Sequence, residues 1–120
     1  SFSFAGNQRS DMGYLWWRSP RIVEELDLTS SQVSRIENIF QSYKGQLKQY
    51  KKNIVQKQTK LDSLLNDPNS EARKIKALNS QVQMIKHEAR SAKVDMNLDI
   101  REVLTVEQRK KLRQLKKGYK

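Results

Sequence analysis

Apolar residues recur three and four positions apart along most of this 120-residue chain. In one segment they fall at Val33, Ile36, Phe40, Tyr43, Leu47, Tyr50, Ile54, Leu61 and Leu64, with a lapse at Lys57. In a second they fall at Ile75, Leu78, Val82, Ile85, Ala89, Ala92, Met96 and Val103, with a lapse at Asp99. Such spacing marks one face of a helix, and about four heptads of it in each segment predict two long helices sharing a narrow apolar seam. At about 1.5 Å per residue each would be on the order of 50 Å long. Between them stands Asn66-Asp67-Pro68-Asn69-Ser70, a cluster of turn formers in which Pro68 disfavours helix at Asp67. A short turn between long helices makes them antiparallel neighbours. No strand-like alternation occurs anywhere.

Shorter elements flank this pair. Ser19 can cap a helix that opens on Pro20, where a missing N–H costs nothing, and runs to about Asp27. A last helix is predicted from about Val106 to Lys117, ending near Gly118. The fold class is therefore all-α: a long antiparallel helical hairpin with short helices at both ends. Residues 1–13 have no period and two glycines and read as a flexible tail. Residues 14–118 read as a single helical domain.

A short phrase is spelled twice. Leu28-Thr29-Ser30-Ser31-Gln32 returns as Leu104-Thr105-Val106-Glu107-Gln108. With Thr at the N-cap, its hydroxyl accepts from the Gln N–H three residues on, and the Gln side chain reaches back to the Thr N–H. That is a capping box, worth roughly 1 kcal/mol in capping at each helix start. Leu28 and Val33 can form a hydrophobic staple; the matching partner of Leu104 would be the aliphatic stem of Arg109. The motif predicts sharp corners at 27–29 and 103–105.

Composition narrows the picture. With 36% hydrophobic and 31% charged residues, the chain is too poor in apolar side chains for a thick spherical core. An elongated assembly fits better, completed by a second copy. Cysteine is absent, which removes thiol catalysis and thiolate metal sites. No apolar run approaches a membrane span. The first residue is Ser1, which suggests a processed form with its targeting peptide removed. The net charge of +11 is uneven: residues 104–120 carry seven basic side chains and one acidic one. Such a surface attracts acidic polypeptide, anionic lipid or nucleic acid.

The paired LTxxQ motifs around a long basic hairpin resemble the Spy/CpxP family of bacterial periplasmic proteins. The stretch from Trp16 to Gln32 is also similar to the related periplasmic heavy-metal sensor and resistance proteins of the CnrX and ZraP type. The resemblance covers about residues 14–118. It implies a periplasmic, cradle-shaped homodimer that holds unfolded or partly folded clients without ATP and limits aggregation under envelope stress. In CpxP-like members the same surface also restrains a sensor kinase. In the metal-binding members, histidines with Glu or Met bind zinc, nickel or cobalt.

The residues favour the client-holding branch. Lys44, Lys48, Lys51 and Lys52 crowd the first long helix, and Arg73, Lys74 and Lys76 open the second. Of these, Lys44, Lys48, Lys51, Lys52, Arg73 and Lys76 are the candidate basic client contacts. Ile39, Val55, Leu65, Met84, Val94 and Leu98 lie off the seam and need a partner; Ile39, Val55, Met84 and Leu98 are the candidate apolar contacts with clients or a second copy. Leu28, Thr29, Gln32, Leu104, Thr105 and Gln108 are read as structural. His87 is the one histidine; with Met84 one turn away it is the sole candidate metal ligand, and a surface role is the simpler reading. No cofactor is expected. Trp16 and Trp17 are read as packing over the open end of the hairpin. An enzyme is disfavoured: no phosphate loop and no serine in a nucleophile context are present. The basic C-terminal helix keeps anionic lipid and nucleic acid as alternatives, with too few apolar residues for firm insertion. No zinc finger, RNA-recognition or basic-zipper pattern accompanies it. A structural or adaptor coiled coil is the remaining alternative.

Overall fold

The computed structural model describes residues 15–118; the tail assigned to residues 1–13 lies outside the described residues. A 3-10 turn, Trp16–Arg18, precedes four α-helices: α1 (Pro20–Leu26), α2 (Ser30–Asn66), α3 (Ala72–Val103) and α4 (Val106–Lys117). No strand occurs among the described residues. Helices α2 and α3 pack against each other as a hairpin, and the protein is all-α.

The helix ends follow from local chemistry. Ser19 caps α1, its Oγ accepting from the Ile22 N–H at 3.4 Å, with Pro20 at the first helical position. The helix stops at Asp27, which adopts a left-handed conformation with φ 54°. Asp27 N–H then bonds Glu24 O at 3.1 Å and Leu28 N–H bonds Val23 O at 3.0 Å, the paired closure of a Schellman motif. Between α2 and α3, Asp67 Oδ1 accepts from the Asn69 N–H at 2.9 Å and Asp67 O from the Ser70 N–H at 3.1 Å. That Asx turn reverses the chain.

The chain forms two compact units. One, here the hairpin unit, holds residues 41–97. Its packing is thin. Leu61, Leu78 and Val82 are buried together, with Leu64 and Ile75 against them. Tyr43, Leu47, Tyr50 and Ile54 are only half-buried on α2, while Ala92 and Met96 are buried on α3. The seam lapse at Lys57 is bridged rather than left open: Lys57 Nζ donates to Gln81 Oε1 at 3.2 Å.

The other, here the junction unit, comprises the residues up to Phe40 and those from Leu98 onward. It contains the 3-10 turn, α1, the start of α2, the end of α3 and α4. Trp16, Trp17, Ile22, Leu26, Leu28, Ile36, Phe40, Ile100, Val103 and Leu104 are all buried in it. The seam of α3 departs here from the predicted one. It runs from Met96 through Ile100, 4% exposed, to Val103, while Asp99 faces outward. A step of four and then three keeps the apolar stripe continuous, so the predicted lapse at Asp99 does not exist.

Candidate functional site

Within the junction unit, the two LTxxQ motifs meet. Both capping boxes form. Thr29 Oγ1 accepts from the Gln32 N–H and Gln32 Oε1 from the Thr29 N–H, each at 3.0 Å. At α4, Gln108 N–H donates to Thr105 Oγ1 at 3.1 Å and Thr105 N–H to Gln108 Oε1 at 2.9 Å. The two glutamines then pair with each other. Gln32 Nε2 donates to Gln108 Oε1 at 2.8 Å, and Gln108 Nε2 donates to Gln32 Oε1 at 3.1 Å.

Each amide also closes the helix end that precedes the other motif. Gln32 Nε2 donates to Val103 O, in the last turn of α3, at 3.1 Å. Gln108 Nε2 donates to Leu26 O and Asp27 O, at the end of α1, at 3.2 and 3.3 Å. A primary amide offers two donors and two acceptor lone pairs, and here both amides use all of theirs. Helix termini leave unpaired N–H and C=O groups; two side chains thereby serve two N-termini and two C-termini. Glutamate could complete a capping box, but it cannot donate. The pairing explains why both motifs end in Gln. Leu28 and Leu104, which open the two motifs, are buried, while Thr29 and Thr105 remain exposed.

Arg109 does more than lend an aliphatic stem to Leu104. Its Nε donates to Arg101 O at 3.0 Å, satisfying another carbonyl in the last turn of α3, and its guanidinium lies 3.5 Å from Glu102.

A second cluster in the junction unit surrounds Glu37. Trp17 Nε1 donates to Glu37 Oε1 at 2.9 Å. Arg18 approaches the same carboxylate with two bonds, Nε to Oε1 at 3.0 Å and a terminal nitrogen to Oε2 at 2.7 Å. These hydrogen bonds raise the Arg18 guanidinium further above its already high ordinary value. Arg18 also lies over the Phe40 ring, 5.3 Å from its centroid, and Trp17 packs on Phe40 at 5.6 Å. Both tryptophans are buried, Trp16 meeting Trp17 edge-on at 5.7 Å. The pair is thus packed and does not form an open platform. Next to it, a groove of about 710 Å³ has apolar walls from Trp17, Pro20, Val23, Leu28 and Val33.

The hairpin unit carries most of the predicted client contacts. Lys44, Lys48, Lys51, Lys52, Arg73 and Lys76 are all exposed. Lys44, Lys48, Lys51 and Val55 stand at i, i+4, i+7 and i+11, which places them in one stripe along α2. Val55 is 57% exposed and Met84 64%, with Leu65 and Val94 also open to solvent. Ile39 and Leu98 belong instead to the junction unit, where Ile39 is half-buried and Leu98 exposed. The ten predicted contacts are therefore distributed over both units. His87 is exposed on α3, and no group of three or more His, Asp or Glu side chains capable of holding a metal ion occurs among the described residues.

Sequence reasoning found the capping boxes but missed their pairing. The signal was Gln, and not Glu, at both third positions. It also missed Glu37 as the partner of Trp17 and Arg18, contacts some twenty residues apart that no local pattern announces.

The model of the LTXXQ motif family protein matches residues 15–116. No curated protein and no solved structure matches the chain. No described helix is long and apolar enough to cross a membrane.

Proposed function

The chain belongs to the LTXXQ motif family, a non-enzymatic periplasmic family of the Spy/CpxP type, and from that premise we propose that it holds non-native proteins without ATP and limits their aggregation. The observation that carries this reading is the surface of the hairpin unit. There, uncompensated cations and exposed apolar side chains lie side by side, with Lys44, Lys48 and Lys51 leading into Val55 along one stripe. Cations act over a Debye length, about 10 Å at moderate salt, and so capture extended acidic segments first. Val55, Leu65, Met84 and Val94 then offer short-range contact. They are scattered singly, so each adds little and the client remains free to fold or leave. Met84 adapts to varied surfaces through its flexible thioether. A second copy of the chain covers part of this apolar surface in the resting state. A sensor kinase is a further partner that the same basic surface could restrain.

The test is light scattering from a denatured model client, without ATP, over a range of salt. Suppression should weaken as salt rises and should be insensitive to added zinc or nickel. Reversing Lys44, Lys48, Lys51 and Lys52 to Glu should slow capture at low salt by about tenfold or more. Suppression unchanged in that variant removes the electrostatic step. Suppression that appears only with metal would instead place His87 and the metal-sensing branch at the centre.

A further inference from the structure

Apart from Arg109, the cations of helix α4 serve neither the fold nor client holding. Six of its twelve residues are basic, and Glu107 is its one acid. Its less exposed side, Gln108, Arg109, Leu112 and Leu115, is turned inward, and α4 packs against α1. Opposite that side run Val106, Lys110, Arg113 and Lys117, at i, i+4, i+7 and i+11, all exposed. They form one straight row about 16 Å long; Lys111 and Lys116 are also exposed but lie on the flanks of the helix, away from the row. Of the two acids near in sequence, Glu102 is engaged by Arg101 and Arg109, and Glu107 is exposed in the first turn, at the start of the row. No ion pair reaches Lys110, Lys111, Arg113, Lys116 or Lys117 among the described residues.

We propose that this outward face of α4 docks on the anionic phospholipid surface of a membrane. A row of cations on one side of a helix complements a flat anionic sheet. Client holding calls for apolar contact as well; the hairpin unit exposes Val55, Leu65, Met84 and Val94, whereas this face offers only Val106. The same shortage rules out insertion: the helix lies on the headgroups and is held by charge alone. The compartment assigned by family, the periplasm, is bounded by membranes. The inference rests on that location and is independent of client holding.

The experiment is co-sedimentation of the full chain with vesicles of phosphatidylcholine alone, and with vesicles of equal parts phosphatidylcholine and phosphatidylglycerol. The chain should bind only the anionic vesicles, and molar salt should release it. The variant Lys110→Glu/Arg113→Glu/Lys117→Glu should bind on the order of 100-fold more weakly, since each cation near an anionic surface contributes close to a factor of five. Circular dichroism and the Gln replacements at the same positions check that the variant folds. The control is the variant with Lys44, Lys48, Lys51 and Lys52 changed to Glu, which alters net charge further but leaves α4 intact; it should keep most of its vesicle binding. Equal loss in both variants, loss in neither, or binding to phosphatidylcholine alone overturns the proposal. So does a duplex oligonucleotide that outcompetes the anionic vesicles at equal phosphate, which would make nucleic acid the partner. The aggregation assay on the α4 variant separates this idea from the proposed function, because suppression should be unaffected there even when vesicle binding is lost.

Discussion

The junction unit and the hairpin unit use the same two long helices to opposite ends. In the junction unit, two glutamine amides exhaust their hydrogen bonds on each other and on four helix termini, and Ile36, Ile100, Val103 and Leu104 are among the buried residues. In the hairpin unit, only Leu61, Leu78, Val82, Ala92 and Met96 are buried, while Val55, Leu65, Met84 and Val94 stay in solvent, Val55 in line with Lys44, Lys48 and Lys51. The interior of the first unit satisfies its own polar and apolar groups, with unpaired cations on the outward side of α4. The other leaves both kinds available. The proposed weak holding of many clients calls for such a surface, and a locally more stable region beside it keeps the fold intact.

The largest expected effect tests this contrast in packing. Ile36 is fully buried in the junction unit, and Ile36→Ala should lower unfolding free energy by about 3 kcal/mol. Leu47 is half-buried in the hairpin unit, and Leu47→Ala should cost about 1 kcal/mol. Urea titration of both variants gives the comparison directly. Equal losses would mean that the second copy covers Leu47 as well as the exposed apolar residues, and amide hydrogen exchange across residues 41–97 would then show protection similar to that of the junction unit.

The next effect separates the glutamine pair from ordinary capping. Gln108→Glu retains a capping-box residue at the third position of α4. It removes the donor to Leu26 O and Asp27 O and sets a carboxylate against their carbonyls and Gln32 Oε1. A cost of about 2 kcal/mol follows at neutral pH, because buried or half-buried acceptors then face one another without a proton. A protonated carboxyl could restore one bond, so folding raises the pKa of the introduced group. The variant is therefore least impaired below the unfolded-state carboxyl value, and its deficit grows as pH rises through the higher folded-state value. A loss of only a few tenths, flat with pH, would reduce the motif to two independent caps.

These two tests also mark what the sequence could tell. The helices, their turn and both capping boxes were legible because each depends on residues within four positions of one another. The exposed lysines and off-seam apolar residues of the hairpin unit were legible for the same reason: helical spacing alone says which side they occupy. The Gln32–Gln108 pair was not, since it joins residues 76 positions apart and requires knowing that two corners coincide. Arg109 was misjudged because a staple considers its stem, while the structure uses its guanidinium on Arg101 O. The seam lapse placed at Asp99 arose from counting three after Met96 where the helix takes four, to Ile100. The left-handed Asp27 was hidden because glycine is the expected residue there.

Gly45 gives a smaller test, on the hairpin side. It sits inside α2, and a Cβ added there would meet nothing within 4 Å. Gly45→Ala should stabilise the protein by about 0.8 kcal/mol through helix propensity alone. A glycine kept at that cost between Lys44 and Gln46 invites a functional measurement on the same variant. Unchanged client capture would assign the glycine no role at the surface; slower capture would mean that clients approach the α2 backbone itself.

The smallest effect lies at the junction, where a strained residue serves the glutamine pair. Asp27 holds φ at 54°, a conformation that costs a side-chain-bearing residue roughly 1 kcal/mol and glycine almost nothing. Glycine also gives the unfolded chain more freedom, which offsets part of the gain. Asp27→Gly should therefore stabilise by about 0.5 kcal/mol, and Asp27→Ala should destabilise by a similar amount, since Asp tolerates the left-handed region better than Ala. The turn made by Asp27 is what presents Leu26 O and Asp27 O to Gln108 Nε2. If that presentation matters, the gain from Asp27→Gly should persist beside Gln108 and change when combined with Gln108→Glu, giving a double-mutant coupling of about 0.5 kcal/mol or more. Strict additivity would show that the left-handed turn and the amide pair are neighbours without being parts of one device.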